Sequence, residues 1–180
     1  LKLHLGCGRT ILPGWANVDL VKLPGVDVVA DLEQCRTARL PFADDSVDEF
    51  LMSHVIEHVK DSLSLMQELH RVSKAGAVLT ARTPYGSSDD AWEDPTHVRA
   101  MFIQSWGYFS QPFYWQPETM QLIVPKAANE GLDAQAILKK VFAERNVVQE
   151  MVVVLRSVKP IREPKKELQV LPQITFVLAP

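Results

Sequence analysis

Leu3-His4-Leu5-Gly6-Cys7-Gly8, followed by Asn17-Val18-Asp19, is the stretch of sequence that decides the fold. A short apolar run breaks into Gly-x-Gly, and an acid closes a second short apolar run eleven residues after Gly8. Glycines directly after a strand let a ligand approach the backbone, because no Cβ stands in the way. A carboxylate at the end of the neighbouring strand can accept both hydroxyls of a ribose. Together these features predict a pocket for an adenosine-containing cofactor at the carboxyl ends of parallel strands.

The same residues differ from the pattern of a dinucleotide-binding site. That pattern has a third glycine, G-x-G-x-x-G, and an acid about 20 residues further on. Here no third glycine follows Gly8, and Asp19 comes about ten residues too early for that pattern. S-adenosylmethionine (SAM) has no pyrophosphate and needs glycines beside its amino-acid part, an acid for its ribose and an apolar slot for its adenine. The pattern therefore disfavours hydride chemistry with NAD and favours SAM.

Length, charge and cysteine content indicate the class of protein. The 180 residues fit one domain over residues 1–180, and an apolar fraction of 47% can build a sizeable core. A net charge of −3 indicates no surface for nucleic acid. Cys7 and Cys35 are expected to be reduced thiols of a cytoplasmic protein, and no apolar run is long enough to span a membrane. Because Leu1 is not methionine and lies in a predicted strand, we expect some N-terminal residues to be missing.

Apolar runs that alternate with connections predict an α/β, Rossmann-like fold with a mostly parallel sheet of about seven strands, covered on both faces. The first five predicted strands are Leu1–Leu5, Ala16–Leu20, Val26–Ala30, Val47–Met52 and Ala77–Ala81. Asn146–Val158 and Leu168–Leu178 are predicted to form an antiparallel C-terminal hairpin. Its basic residues indicate either a solvated tip or a site for a phosphate-bearing acceptor; they are Lys159, Arg162, Lys165 and Lys166.

The spacing of apolar residues predicts helices over Asp61–Ser73, His97–Phe109 and Gly131–Glu144. Thr83–Thr96 is rich in Pro, Gly, Ser and Asp and is predicted to be a loop. Gln111–Lys126 has no clear period.

The first crossover of the sheet is unusually short. Only Gly6–Trp15 connects the first two predicted strands, and Pro13-Gly14 would break a helix there. About eight extended residues can span roughly 25 Å, so the chain can still return without a full helix. We therefore predict that the first crossover helix is shortened to a turn or lost.

Five ordered motifs resemble those of class I SAM-dependent methyltransferases, especially the broad group related to ubiquinone and menaquinone biosynthesis. The motifs are Leu3–Gly8, Asn17–Asp19, Leu40–Asp48, Ser53–Val59 and Glu68–Ala77. Beyond about Pro84, only Asp94–His97 resembles a segment of some members. The short first crossover is similar to a compact subgroup associated with glycan-biosynthesis clusters. The resemblance implies the Rossmann-like fold and SAM-dependent methyl transfer to a small-molecule or glycan-type acceptor, with an acceptor-binding insertion around residues 85–130.

The resemblance implies that residues at four predicted strand ends bind SAM. Gly6, Cys7 and Gly8 are implied at the methionine part, Asp19 at the ribose with Leu20 as a further cofactor contact, Asp31 and Leu32 at the adenine, and Ser53 and His54 beside the sulfonium. Asp31 could instead be a helix N-cap. His4 stands where an acid is common in the family, so we expect a hydrogen bond to the glycine loop to be made differently.

Acceptor binding and catalysis are expected to involve residues beyond the fifth strand. His97 follows a polar loop that should lie over the carboxyl ends of the strands, and it is the candidate general base because imidazole accepts a proton near neutral pH. A surface or helix-capping role is the alternative. Tyr85, Trp92 and Trp106 are candidates for contact with the acceptor, although Trp106 at helical spacing also fits a core position.

A metal-site pattern overlaps the fourth motif. His54-Val55-Ile56-Glu57-His58 matches H-x-x-E-H, which on a helix places two histidines on one face for zinc. Here the pattern directly follows a strand, so we assign no metal ligands, and Glu57 and His58 are expected to serve either in local hydrogen bonding or in the active site. The main alternative to an enzyme is a non-catalytic SAM-binding module, suggested by the short crossover and small size; a zinc hydrolase is a more remote one.

Overall fold

The computed structural model describes residues 1–110, 115–161 and 172–180. Its eight strands are β1 (Lys2–Leu5), β2 (Ala16–Asp19), β3 (Val28–Val29), β4 (Val47–Ser53), β5 (Ser73–Pro84), β6 (Trp115–Pro125), β7 (Glu150–Ser157) and β8 (Gln173–Ala179). They form one sheet in the order β3-β2-β1-β4-β5-β7-β6-β8. The first five strands are parallel and coincide with the predicted ones. The predicted α/β, Rossmann-like fold with a mostly parallel sheet is confirmed, with eight strands in place of about seven.

The antiparallel part of the sheet differs in its pairing from the predicted hairpin. β7 is antiparallel to β5 on one side and to β6 on the other. β8 lies at the edge and pairs in parallel with β6, so the last two strands are not neighbours. The predicted hairpin between them is therefore wrong, because β6 lies between the two strands and pairs with both. Lys159 lies within the described residues, whereas Arg162, Lys165 and Lys166 lie outside them.

Four α-helices are described: α1 (Ser62–Val72), α2 (Asp90–Glu93), α3 (Lys126–Asn129) and α4 (Ala134–Ala143). Asp61 caps α1 by accepting a hydrogen bond from the N–H of Ser64, and Asp133 caps α4 by accepting one from Ala136. These helices confirm two of the predicted ones. The helix predicted over His97–Phe109 is instead a 3-10 helix limited to Ile103–Ser110.

The connection between β1 and β2 contains no helix, as predicted. Asn17, a buried residue of β2, organises it: Oδ1 accepts from the N–H of Leu12 at 2.9 Å, and Nδ2 donates to the carbonyls of Leu12 and Trp15. His4 Nδ1 lies 3.3 Å from the same Asn17 Oδ1. In this chain an asparagine therefore fixes the loop, and His4 contacts that asparagine rather than the glycines.

The sheet is not covered equally on its two faces. β1 is buried on both faces, but β5 and β7 alternate between fully buried and more exposed positions. Met151, Val153 and Leu155 of β7 are buried, whereas Val152 and Val154 between them are half-buried. The prediction that both faces are covered therefore holds only at the centre of the sheet. No described helix is long and apolar enough to cross a membrane.

Candidate functional site

A hydrogen bond between Gly8 and Asp19 joins the carboxyl ends of β1 and β2. The N–H of Gly8 donates to Asp19 Oδ2 at 2.7 Å, and the N–H of Val21 donates to Oδ1 at 3.0 Å. A carboxylate offers about four lone-pair directions. Two backbone bonds therefore orient Asp19 and leave it capacity for two more donors.

The two glycines have different structural reasons for lacking a side chain. Both have positive φ, +62° at Gly6 and +54° at Gly8, where other residues are strained. A Cβ on Gly6 would lie 2.5 Å from Val55 Cγ2, so glycine is needed there for packing. A Cβ on Gly8 would meet no atom within 4 Å, so the space above Gly8 is open to a ligand. The Cys7 side chain between them is buried, so only its backbone can face that space.

Apolar side chains remain exposed where an adenine would lie. Leu20 is 61% exposed and Val21 is 54% exposed after β2, and Val29 is 51% exposed in β3. Asp31 caps the 3-10 helix Leu32–Gln34, with Oδ1 accepting from the N–H of Glu33 at 2.9 Å. The N-cap alternative for Asp31 is thus observed, and it uses only one of the two carboxylate oxygens. Leu32 is half-buried against the core.

SAM fits the combination of three features: the open space at Gly8, the oriented Asp19 carboxylate and the exposed apolar residues near the end of β2. Each meets one requirement of the cofactor: space for the methionine part, acceptors for the ribose hydroxyls and an apolar surface for the adenine. All lie at the carboxyl edge of a parallel sheet, which is where ligands bind in open α/β folds.

Ser53 and His54 lie at the same edge of the sheet as Gly6. In the pairing of β1 with β4, Leu5 is opposite Met52, so the residues that follow each of them are neighbours. His54 has φ +55°, a left-handed backbone conformation that is uncommon for residues other than glycine. Its Nε2 lies 3.0 Å from Glu150 Oε1, and its Nδ1 lies 3.4 Å from Glu57 Oε1. The Glu57 carboxylate raises the pKa of His54, although burial opposes the increase. His54 therefore contacts two acids.

His97 lies against the segment that follows β4. Its side chain is 9% exposed, and its ring contacts that of His58 at a centroid distance of 4.7 Å. The N–H of Val98 donates to the carbonyl of Glu57 at 2.9 Å, which ties the two segments together. The structure thus brings His97 beside Glu57 and His58, whereas His54 of the H-x-x-E-H pattern lies between Glu57 and Glu150. Only Ile56–His58 of that pattern is helical, and it is a 3-10 helix.

The three aromatic candidates for acceptor contact occupy different environments. Tyr85 is buried, packs edge to face on Phe102 and borders a cavity of about 470 Å³ that extends to the end of α4. Trp92 is 65% exposed and its Nε1 donates to the carbonyl of Gly86. Trp106 is completely buried against Phe109, so its predicted contact with an acceptor is wrong and the core alternative is correct.

Other residues of this cavity were not indicated by the sequence. Phe102, Val141 and Arg145 line it together with Ser87, whose buried Oγ has no hydrogen-bond partner among the described residues. The only signal available was the apolar face of the predicted C-terminal helix.

Lys159 corrects the expectation of a solvated hairpin tip. Its side chain is 18% exposed, and its Nζ pairs with Asp45 and donates to the carbonyls of Arg71 and Ser73. These partners hold the ammonium group, so Lys159 is not available to bind a phosphate.

Comparison with known proteins gives a match to a family model over part of the chain and matches to solved structures. Residues 3–81 match the family model described as a methyltransferase domain. A search of the curated proteins gives no match.

Solved structures share the fold at low sequence identity. A SAM-dependent methyltransferase from Archaeoglobus fulgidus is 14% identical with a TM-score of 0.61, covering 86% of this chain and 85% of that one. A SAM-dependent methyltransferase from Mesorhizobium loti is 14% identical with a TM-score of 0.56, covering 86% and 89%. The [4+2]-cyclase SpnF is 12% identical with a TM-score of 0.59, covering 87% and 74%. At these identities the similarity concerns the fold, which also carries a reaction other than methyl transfer.

Proposed function

We propose that this protein, a class I SAM-dependent methyltransferase by its family match and its fold, transfers the methyl group to a small-molecule or glycan-type acceptor. The observation that carries the proposal is the hydrogen bond from Gly8 to Asp19, because it holds the open glycine side and the ribose-binding acid in one rigid unit. In this proposal Gly6, the Cys7 backbone and Gly8 hold the methionine part, and Asp19 accepts the ribose hydroxyls.

The remaining cofactor contacts follow from the same edge of the sheet. Leu20 and Leu32 provide apolar contact for the adenine, and the second oxygen of Asp31 accepts from its amine. Ser53 and His54 lie beside the sulfonium. SAM supplies a methyl group activated by the positive sulfonium, so the chain has chiefly to position the acceptor and exclude water.

The acceptor is proposed to enter through the cavity beside Tyr85. A volume of about 470 Å³ lies in the range of small-molecule sites, roughly 300–1,000 Å³. The unpartnered Ser87 Oγ offers a hydrogen bond to a polar group, and Arg145 lies at the border of the cavity. The exposed indole of Trp92 adds an aromatic surface nearby, which an apolar sugar face can cover. Within the predicted acceptor-binding insertion around residues 85–130, the part before residue 105 would thus contact the acceptor, whereas Trp115–Pro125 form β6 of the sheet.

His97 is proposed as the general base. Its Nδ1 is 3.2 Å from the carbonyl of Ala91, and the N–H at that position donates to it. Nε2 therefore carries the lone pair and can accept the proton of an acceptor hydroxyl as the methyl group is transferred.

The experiment is a screen for S-adenosylhomocysteine release with phenols, amines, monosaccharides and nucleotide sugars as acceptors. Turnover with one class is expected. Two variants of α4 test the cavity: Ala143→Trp should fill its border and raise the acceptor KM, whereas Gln135→Trp at the other end of the helix should not. SAM binding without turnover in every class would contradict the proposal and support a non-catalytic binding module.

A further inference from the structure

Three potential metal ligands meet where the segment after β4 contacts the segment after α2. Glu57, His58 and His97 each offer one ligand atom, and these atoms lie within 4.8 Å of one another. The backbone bond from Val98 to Glu57 fixes the two segments at this point. The cluster thus joins residues that are about 40 positions apart and rests on two tied segments of backbone.

Glu57 is a buried acid whose charge is incompletely paired within the described part of the chain. Its side chain is 2% exposed, and neither carboxylate oxygen has a hydrogen-bond partner among the residues that the structure describes. His54 Nδ1 is at ion-pair distance from Oε1, 3.4 Å, and Oε2 has no such contact within the described ranges. A buried carboxylate is costly unless it is paired or coordinates a cation. The carboxylate therefore has free capacity for a cation.

Both imidazoles are held in the tautomer that a metal requires. Thr96 Oγ1 donates to Asp94 Oδ1 at 2.6 Å, so it accepts from His58 Nδ1 at 3.0 Å. His97 Nδ1 donates to the carbonyl of Ala91 at 3.2 Å. Each ring thus has its lone pair on Nε2. Metal-binding histidines typically donate their other N–H to such an oxygen, which fixes the orientation of the ring.

We propose that Glu57, His58 and His97 bind a divalent first-row transition metal, represented here by Zn²⁺. Two imidazoles and one carboxylate are a common ligand set for Zn²⁺ and for Fe²⁺, with remaining positions for water or substrate. Bonds of about 2.1 Å in a tetrahedral site place ligand atoms roughly 3.4 Å apart. The cluster must therefore contract from separations of up to 4.8 Å, and the half-buried His58 side chain can move to do so.

This site differs from the H-x-x-E-H pattern in one ligand. His54 belongs to that pattern, but its Nε2 is directed to Glu150, and His97 takes its place. A metal on Nε2 of His97 would occupy the lone pair needed for proton acceptance. Metal binding and base catalysis at His97 are therefore mutually exclusive.

The test is titration of the metal-stripped protein with Co²⁺, followed by its visible absorption and then by displacement with Zn²⁺. It uses no SAM or acceptor, so its outcome is separate from that of the methyl-transfer screen. Binding by the wild type is expected, and His58→Ala and His97→Ala should each weaken it at least about tenfold. Glu57→Gln should also weaken binding, and because it keeps the size of the side chain it serves if an alanine variant does not fold.

His70→Gln is the matched control, since it removes a buried histidine of α1 that belongs neither to the proposed ligands nor to the proposed SAM site. Its Co²⁺ affinity should stay within about twofold of the wild type. Absence of binding to the wild type, or equal affinity in the His58 and His97 variants, would overturn the proposal. A loss in His70→Gln as large as that in His97→Ala would also overturn it, because binding would then not depend specifically on the proposed ligands.

Discussion

The N–H of Gly8 donates a 2.7 Å hydrogen bond to Oδ2 of Asp19, and this bond joins the loop after β1 to the end of β2. Gly8 has φ +54° and open space where a Cβ would stand. Asp19 is thereby held beside that space with acceptor capacity to spare. The proposed SAM site depends on this relationship more than on any other.

Gly8→Val should abolish SAM binding in a folded protein, because the side chain would occupy the space proposed for the methionine part. The matched control is Gly76→Val: Gly76 also has positive φ, +80°, and open space at its Cβ position, but it lies at the opposite end of the sheet near the start of β5. Both variants therefore carry a similar backbone strain. Calorimetric titration with SAM should separate them, and normal affinity in Gly8→Val would place the cofactor elsewhere.

Asn17→Ala should lower both the free energy of unfolding, by about 1–3 kcal/mol, and the affinity for SAM. It removes the bonds that hold the loop of Leu12 to Trp15, next to the glycines. Asn129→Ala is the control, because Asn129 is also buried and donates to a backbone carbonyl, that of Pro125, and three strands of the sheet separate β6 from β1. It should lose stability but keep SAM affinity. If both variants bind SAM as the wild type does, the loop does not depend on Asn17.

His97→Ala should lower kcat by about 10²–10⁴ with an acceptor that must lose a proton, while SAM affinity stays unchanged. Full activity in the variant would mean that transfer proceeds by positioning alone.

The stabilisation of the fold by His54 should decrease as the pH rises. Glu57 raises the pKa of His54 in the folded state, so the folded protein holds this proton more tightly than the unfolded chain. The resulting stabilisation is complete below the unfolded pKa of about 6.5 and is lost as the pH rises through the folded pKa. Thermal melting of wild type and His54→Gln from pH 5 to 9 should show the difference between them shrinking with pH. A difference that grows with pH would contradict the assignment.

The protonation of His70 should make the stability of the protein depend on pH in the opposite direction, with a loss toward acid pH. Burial lowers the pKa of His70, whose Nε2 is 2.9 Å from the carbonyl of Val158. The unfolded chain therefore binds this proton first, and stability is lost as the pH falls below about 6.5 toward the folded pKa. His70→Gln should unfold less steeply with acid than the wild type in the same melting series. An identical acid dependence would show that His70 does not contribute.

The parallel half of the sheet was predictable because each of its strands is specified by the residues of one short segment. Each short apolar run forms one strand, and the residues after each run necessarily meet at the carboxyl edge. The sequence alone therefore predicts that Gly8, Asp19 and Ser53 lie at one edge of the sheet.

The antiparallel half was not predictable, and β6 shows the reason. Its buried residues are Trp115 and Pro117, then Met120, Leu122 and Val124. The alternation changes phase between Pro117 and Thr119, where the pairing with β7 is irregular. The strand period is thereby broken, and pairing between distant strands decides which one lies beside β7.

The proximity of His97 to Glu57 could not be predicted from the sequence either, because the two residues are 40 positions apart. Trp106 shows a related limit. An aromatic residue in an amphipathic segment can face the core or a ligand, and only the packing of the 3-10 helix Ile103–Ser110 decides that it is buried.

The most direct test of the central claim is the affinity of S-adenosylhomocysteine for the wild type and for Asp19→Ala, measured by calorimetry on folded protein. Loss of charge-assisted hydrogen bonds to the ribose should weaken binding by about 1–3 kcal/mol, roughly 5- to 150-fold. An unchanged affinity in Asp19→Ala would contradict the proposed site, because Asp19 would then have no part in holding the cofactor.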